Sequence, residues 1–170
     1  MKLETDLTTI KELADRRDDE NWRFRSFLKH GRISSRAVDS MTHELNQEVS
    51  SLIDCTQCAY CCKVLRPSLS SKDIRVLAKA LGKSVEEVQA QFLVKGEGPG
   101  EFQFNQLPCP LLKDNRCSVY DHRPEQCRSF PHLHKKRVTS RLWGIIVNYS
   151  LCPIVFNVYE QLKQRMNWRG

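Results

Sequence analysis

Hydrophobic residues in the first third of the chain recur at the spacing that places them on one face of a helix. Three series show this pattern: Leu3, Leu7, Ile10, Leu13 and Ala14; Trp22, Phe24, Phe27 and Leu28; and Val38, Met41, Leu45, Val49 and Leu52. Gly31 is expected to end the second helix, and Ser34 or Ser35 is expected to cap the next one. The pattern predicts two or three helices before residue 54.

The third series has two interpretations. Its spacing forms a seam that either packs against the rest of the molecule or joins a second copy in a coiled coil. Because the series is only about two heptads long, it favours a helix that faces the core of its own chain. A dimer through the N-terminal helices stays open as an alternative.

Polar and turn-forming residues divide the rest of the chain into short elements. Ser70 with Asp73 and Ser84 with Glu87 have the spacing of capping boxes, so each pair predicts the start of a helix. The first helix is expected to end at Gly82, and the second to run through Val88, Phe92 and Leu93. The alternation of Phe102 and Phe104 predicts a short strand. Residues 113–116, Lys-Asp-Asn-Arg, predict the turn of a hairpin.

The C-terminal third adds three further elements. Pro124 is expected to start a short helix that carries Cys127, and Pro153 to open a final helix. The apolar run 143–147 is compatible with a strand or with a buried helix. The fold class predicted is therefore mainly α with a small β-hairpin (α+β). We expect an N-terminal helical segment over 1–53 and a compact cysteine-rich metal-binding domain with a C-terminal helix over 54–170.

Composition narrows the class of protein. The chain has 170 residues, of which 40% are hydrophobic and 28% charged, which is typical of a globular protein. Its apolar runs are shorter than the roughly 18 residues that a membrane span needs, so no membrane insertion is expected. The first residues carry acids where a secretory signal has apolar residues, which favours a cytoplasmic location.

Eight cysteines are the main chemical feature of the sequence. In the reducing cytosol four disulfides are not expected, which leaves metal binding, redox catalysis or inert burial of the thiols. The net charge is +7, with 9 basic and 10 acidic residues before position 51 and 18 and 10 after it. Metal-bound thiolates would offset part of this basic excess, and no basic stretch is interleaved with aromatic residues, so nucleic-acid binding is not favoured.

Half of the cysteines lie within eight residues. Cys55, Cys58, Cys61 and Cys62 are separated mainly by two residues, a spacing that lets consecutive thiolates bind one centre. Because Cys61 and Cys62 are adjacent, one of them is expected to reach a second centre or to bridge two metals. The other candidate ligands follow at wider intervals: Cys109, Cys117, Cys127 and Cys152. Eight ligands suit two four-cysteine centres, or one centre with spare thiols, and the sequence does not partition them.

These segments resemble a known family. The group Cys55–Cys62, the later Cys109-Pro110-Leu111-Leu112, Cys117 with Tyr120, and residues 123–131 around Cys127 occur in the order typical of the CxxCxxCC cysteine-cluster family, also called YkgJ-like. The resemblance covers about residues 54–131, with Cys152 as a last ligand. It implies a zinc- or iron-chelating domain. Larger flagellin lysine methylases have a similar cysteine pattern, but this chain has no glycine loop for a methyl donor.

Several residues near the cysteines have two interpretations. Arg123 and Arg128 flank Cys127, and each is either a hydrogen-bond donor to cluster sulfur or a member of an ordinary ion pair with Asp121 or Glu125. His132 and His134 are compatible with nitrogen ligation, although a solvent-facing position is favoured. Tyr60 and Tyr120 are expected to shield the site from water or simply to pack.

The sequence therefore predicts a metal-binding protein that carries a cysteine-ligated iron–sulfur cluster, [4Fe–4S] by preference, or a zinc centre. The dense two-residue spacing and the Cys-Pro pairs favour iron–sulfur. If the centre is an iron–sulfur cluster, we expect a redox or accessory role, with an electron partner or another protein partner. The alternatives are an enzyme or enzyme partner in protein modification, whose catalytic residues the sequence does not identify, and a zinc-stabilised nucleic-acid-binding module.

Overall fold

The computed structural model describes residues 3–169, which are mainly helical and include two small antiparallel sheets. The helices are α1 (Leu7–Arg16), α2 (Asp18–His30), α3 (Ser35–Leu52), α4 (Cys55–Cys58), α5 (Tyr60–Val64), α6 (Ser71–Leu81), α7 (Val85–Phe92), α8 (Glu125–Ser129), α9 (Leu142–Tyr149) and α10 (Pro153–Arg165). The strands are β1 (Ser68–Leu69), β2 (Leu93–Lys95), β3 (Phe102–Phe104), β4 (Leu112–Lys113) and β5 (Arg116–Cys117). The predicted fold class, mainly α with a small hairpin, is confirmed.

The chain packs as two compact units. The helical unit contains the residues up to Asp54 together with those from Pro131 onward, and the cysteine unit is Cys55–Phe130. The division at 53/54 predicted from the sequence stays a prediction, because packing shows which segments share a core and does not show which segments fold independently.

In the helical unit, α3 packs along α10 and also contacts α2. The side chains of Val38, Leu45 and Val49 are fully buried, so the apolar seam of α3 faces the core of its own unit. The Ser34 hydroxyl accepts a hydrogen bond from the backbone N–H of Ala37 at 3.2 Å, as expected of the N-cap. The interpretation of α3 as a core-facing helix is confirmed.

A buried cation joins α2 to α10. The ammonium of Lys163, whose side chain is 6% exposed, donates to Glu20 at 2.8 Å, to Asn21 at 2.7 Å and to Glu160 at 2.8 Å. Burying a charged group is costly unless it is paired and hydrogen-bonded, and here all three donor positions of the ammonium have acceptors. This network fixes the relative position of the two helices within the unit.

The apolar run that was compatible with a strand or a helix is α9. Its Trp143 and Val147 side chains are exposed, while Leu142, Ile145, Ile146 and Tyr149 are buried. Within residues 3–169 no single helix is long and apolar enough to cross a membrane; α9 and α10 satisfy the length and composition test only as a pair, and the pair is bent by 117°.

The cysteine unit is built on a small core beneath the candidate ligands. The buried members are Leu69, Ile74, Leu77, Ala78, Val88, Leu93, Phe104, Leu111 and Val119. They come from α6, α7, the sheet β1-β3-β2 and the hairpin of β4 and β5. Cys109 and Cys117 pack against this core, so their positions depend on it.

The helix caps predicted in this unit are present in the structure. Ser70 with Asp73 and Ser84 with Glu87 form complete capping boxes at α6 and α7, and Gly82 ends α6 in the left-handed region at φ 63°. One difference concerns Leu93, which starts β2 rather than continuing α7. Its backbone pairs with Phe104 in the sheet, so cross-strand pairing overrides the helical pattern there.

The hairpin predicted at residues 113–116 is also confirmed. Leu112 pairs with Cys117 and Lys113 with Arg116, and the two loop residues, Asp114 and Asn115, both have positive φ, 47° and 60°. Two consecutive left-handed residues form the tight turn that matches the twist of the strands, and Asp and Asn tolerate this conformation. The hairpin therefore places Cys117 directly opposite Leu112.

Replacing Leu77 by alanine tests the dependence of the cysteine unit on its core. Leu77 is fully buried in α6, so the Leu77→Ala substitution should lower the free energy of unfolding by about 2–5 kcal/mol through lost burial and a residual cavity. Denaturant unfolding of the metal-free protein measures this change. Lys79→Ala, on the exposed face of the same helix, is the control and should change the free energy by less than about 0.5 kcal/mol.

Candidate metal centre

The cysteine motif lies on two short helical turns. Cys55 and Cys58 bound α4, and Cys61 and Cys62 lie in α5. Ala59 separates the helices with a left-handed backbone, φ 49°, an uncommon conformation for a residue with a side chain. The four cysteines are therefore carried by two differently directed turns and not by one continuous helix.

Two distant segments meet the motif through the backbone. The N–H of Cys109 donates to the carbonyl oxygen of Cys62 at 2.8 Å, and the N–H of Leu112 donates to the carbonyl of Cys109 at 3.0 Å. Leu112 pairs in turn with Cys117 across the hairpin. These links connect Cys62 with Cys109 and Cys117, which lie 47 and 55 residues further along the chain.

A fourth cysteine is positioned by α8. One carboxylate oxygen of Asp73 accepts the backbone N–H of Glu125, the first residue of α8, at 2.9 Å. The other oxygen accepts the backbone N–H of Ser70 at 2.9 Å and its hydroxyl at 2.6 Å. Asp73 thus caps α8 while completing the capping box of α6. It fastens the helix that carries Cys127 to the scaffold.

Four thiols form one electrostatically coupled group, which we call the inner thiol cluster: Cys62, Cys109, Cys117 and Cys127. The negative charge of the Cys62 thiolate raises the pKa of the other three. Cys117 acts in the same way on Cys109, and both Cys109 and Cys117 act on Cys127. Every pair of the four thiols interacts electrostatically, so ionisation of one thiol disfavours ionisation of the others.

The environment separates the pKa values within this cluster. The pKa of Cys62 is lowered to about 7. A hydrogen bond with the Cys61 thiol is the main cause, and the charges of Arg123 and Lys63 act in the same direction, while burial opposes them. Burial raises the pKa of Cys109 to about 11 and that of Cys127 to about 12, and it also raises the pKa of Cys117. Cys62 is therefore the member that ionises most readily.

Backbone donors point at two of the sulfurs. The N–H groups of Leu111 and Leu112 hydrogen-bond to the Cys109 side chain, and the N–H of Val119 hydrogen-bonds to that of Cys117; each of these bonds lowers the pKa of its thiol. Hydrogen bonds to ligand sulfur stabilise the thiolate and tune a bound metal centre. The two cysteines are consequently prepared to act as thiolates even though burial opposes their ionisation.

The two arginines that flank Cys127 differ in their surroundings. Arg128 pairs with Glu125 at 3.0 Å on the surface, as the ion-pair interpretation predicted. The guanidinium carbon of Arg123 instead lies 3.5 Å from the centre of the Tyr120 ring, and its charge acts on Cys62, Cys117 and Cys127. Tyr120 is 41% exposed, so it covers the arginine more than it excludes water from the sulfurs.

The other predicted ligands are Cys55, Cys58, Cys61, Cys152, His132 and His134. Cys61 contacts the inner thiol cluster through its hydrogen bond with Cys62, Cys58 is half-buried, and Cys55 is exposed. Cys152 belongs to the helical unit, where it is the buried N-cap residue of α10, and His132 and His134 belong to the same unit. Ligation by these residues stays a prediction.

Across residues 3–169, no group of three or more Cys, His, Asp or Glu side chains already has the geometry of a metal-ion site. The donor set of the inner thiol cluster nevertheless suits zinc or iron: it has four soft ligands and N–H donors at two of the sulfurs. Metal binding at this cluster therefore requires the thiol side chains to rearrange.

Fold and thiol grouping together define a cysteine-rich, mainly helical protein with a candidate all-thiolate site. The family model CxxCxxCC, described as "Putative zinc- or iron-chelating domain", matches residues 54–144, which is more than half of the chain. The chain belongs to this family, as the resemblance of its cysteine segments predicted. Neither the curated proteins nor the solved structures searched contain a significant match to it.

Asp73 makes the stability of the site pH-dependent. Although burial opposes ionisation, hydrogen bonds from Ser70 and from the Glu125 N–H hold the pKa of Asp73 below its ordinary value of 3.8. A depressed carboxyl pKa contributes stability above the unfolded-state value, and this stability is lost as the pH falls through the folded-state value.

We therefore expect Asp73→Asn to lower the free energy of unfolding at pH 7 by about 1–3 kcal/mol, since both carboxylate oxygens accept hydrogen bonds and the amide replaces one of them by an NH₂ donor. The difference from the parent should shrink as the pH falls below about 4, because the carboxyl group is then protonated in the unfolded parent before it is protonated in the folded one. Denaturant unfolding of the metal-free proteins at several pH values measures it. A difference that is the same at pH 7 and pH 3 would contradict the assigned role of the Asp73 carboxylate.

Proposed function

We propose that the protein is a metal-cluster protein in which Cys62, Cys109, Cys117 and Cys127 are the ligands of one centre. The observation that carries the proposal is the mutual interaction of these four thiols within one packed unit. Four cysteines are the ligand set of structural zinc and of [4Fe–4S] clusters. Membership of a zinc- or iron-chelating family supports the same conclusion.

The four thiols of the proposed centre differ in what holds them and in their acidity. Cys109 and Cys117 rest on the apolar core, Cys127 is held by α8, and Cys62 lies on the short helix α5. Thiolates are the metal-binding form of cysteine, so the most acidic thiol is the natural first ligand. Cys62 would bind first, and the buried thiols would lose their protons as the cation replaces them.

We further propose that the centre is an iron–sulfur cluster of the [4Fe–4S] type. The two-residue spacing of Cys55, Cys58 and Cys61 and the Cys109-Pro110 pair support this choice over zinc. Cys55, Cys58 and Cys61 lie on the turns that lead to Cys62, so they are available for a second centre. When bound, such a cluster supplies one-electron chemistry. An electron-transfer partner and a cytoplasmic location fit this role.

The composition of the metal centre tests the proposal directly. Protein purified without oxygen should contain iron and acid-labile sulfide in equal amounts and should absorb broadly near about 400 nm. Zinc without sulfide would retain the four-cysteine site but contradict the cluster, and the centre would then be structural. Protein that binds neither metal after anaerobic reconstitution would contradict the proposal as a whole.

Substitution of single cysteines tests which thiols are the ligands. Cys127→Ser should remove the metal of the inner thiol cluster, because serine keeps the size of the side chain and loses the thiolate. Cys55→Ser is the matched control: Cys55 is exposed, and its loss should leave that metal in place. The metal and sulfide content per chain, measured for both variants and for the parent, gives the answer.

If Cys127→Ser retains the parent's metal content, the assignment of the inner thiol cluster is wrong. If Cys55→Ser loses all metal while Cys127→Ser does not, the centre is instead built on the Cys55–Cys62 motif. A partial loss in Cys55→Ser, with the metal of the inner thiol cluster retained, is the result expected if the motif holds a second centre.

A further inference from the structure

Arg123 has a buried donor without a protein acceptor. In the part of the chain that the structure describes, residues 3–169, its Nε atom is inaccessible to solvent and has no hydrogen-bond partner. Over the same residues no carboxylate pairs with its guanidinium, in contrast to Arg128, which pairs with Glu125. A buried N–H group that lacks an acceptor costs free energy. An acceptor that arrives with a bound ligand or metal centre would remove this cost.

The orientation of Arg123 is set by its neighbours. Its guanidinium lies over the Tyr120 ring at 3.5 Å, and Pro124, the next residue, is buried at the start of α8. A planar guanidinium stacked on an aromatic ring loses little further freedom when it forms a hydrogen bond. The side chain is therefore held in place and is not a mobile surface cation.

The charge of Arg123 is directed at the inner thiol cluster. Among the cations of the cysteine unit, Arg123 acts on the thiols of Cys62, Cys117 and Cys127, whereas Lys63 acts on Cys62. Four thiolates around a divalent cation leave a net charge of −2, and a [4Fe–4S] cluster with four thiolates is likewise anionic. A fixed cation beside the cluster would lower the cost of burying this charge.

We propose that Arg123 is a positioning residue for the metal centre, whose buried Nε–H donates to a metal-bound cysteine sulfur while its charge offsets that of the thiolates. This inference rests on the proposed function, because the acceptor is the bound centre. It assigns separate roles to the two arginines of the segment: Arg123 serves the sulfurs, and Arg128 serves the surface of α8. Residues of this kind change metal affinity without touching the metal.

The test compares three variants with the parent. Arg123→Gln removes the charge and the Nε–H, Arg123→Lys keeps a charge but lacks the planar Nε–H, and Arg128→Gln removes a charge one residue from Cys127 at the surface. Each protein is loaded with Zn²⁺, and the affinity is measured by competition with a chromophoric chelator. Circular dichroism of the metal-free forms checks that each variant folds.

We expect Arg123→Gln to weaken zinc binding by about 10–100-fold, Arg123→Lys to recover only part of this loss, and Arg128→Gln to bind within about 2-fold of the parent. If the parent assembles an iron–sulfur cluster, the midpoint potential of the cluster should be lower in Arg123→Gln than in the parent. The reason is that loss of a cation and of a hydrogen bond to sulfur disfavours the more negative, reduced state of the cluster.

Unchanged affinity and potential in Arg123→Gln would overturn the inference, and so would an equal loss in Arg128→Gln, which would indicate a general charge effect. Full recovery in Arg123→Lys would overturn the donation by Nε–H. If Arg123→Gln does not fold, Arg123→Lys, which keeps a cation over Tyr120, provides the comparison. A parent that binds no metal refutes the proposed function instead, which separates the two failures.

Discussion

The arrangement of this protein depends on keeping four thiols close together before a metal is present to attract them. Mutual repulsion and burial both oppose ionisation of the thiols, as the raised pKa values of Cys109 and Cys127 show. Packing must therefore hold the cysteines in place without help from their own charge. The core beneath the hairpin and the Cys109–Cys62 backbone hydrogen bond provide this support.

Three kinds of neighbouring group affect the thiols. Backbone N–H groups at Leu111, Leu112 and Val119 point at sulfurs, the cation of Arg123 lies beside the cluster, and the Asp73 carboxylate anchors α8. The N–H groups and the Arg123 cation compensate for part of the cost of placing potential thiolates in a half-buried site, whereas Asp73 contributes through the position of α8. Asp73 illustrates how closely scaffold and thiols are joined, because one carboxylate caps two helices, of which α8 carries Cys127.

Much of the local structure followed from the sequence because it depends on neighbouring residues. The capping boxes at Ser70 and Ser84, the left-handed Gly82 and the Asp114-Asn115 turn are each decided within about four residues. The sequence also predicted the apolar face of α3, but it did not show that this face packs against α10. Leu93 was assigned to a helix because its strand partner, Phe104, lies too far along the chain for a local pattern to reveal it.

The eight cysteines and their spacing determined the class of chemistry and the family, since soft thiolate ligands in this order have few other uses. The sequence could not divide them into sets. Only the tertiary structure links Cys62 to Cys109, Cys117 and Cys127, because that link depends on the turn at Ala59, on the hairpin register and on the placement of α8. It also distinguished Arg123 from Arg128, whose sequence settings are nearly equivalent, because stacking on Tyr120 and pairing with Glu125 arise only when the chain folds.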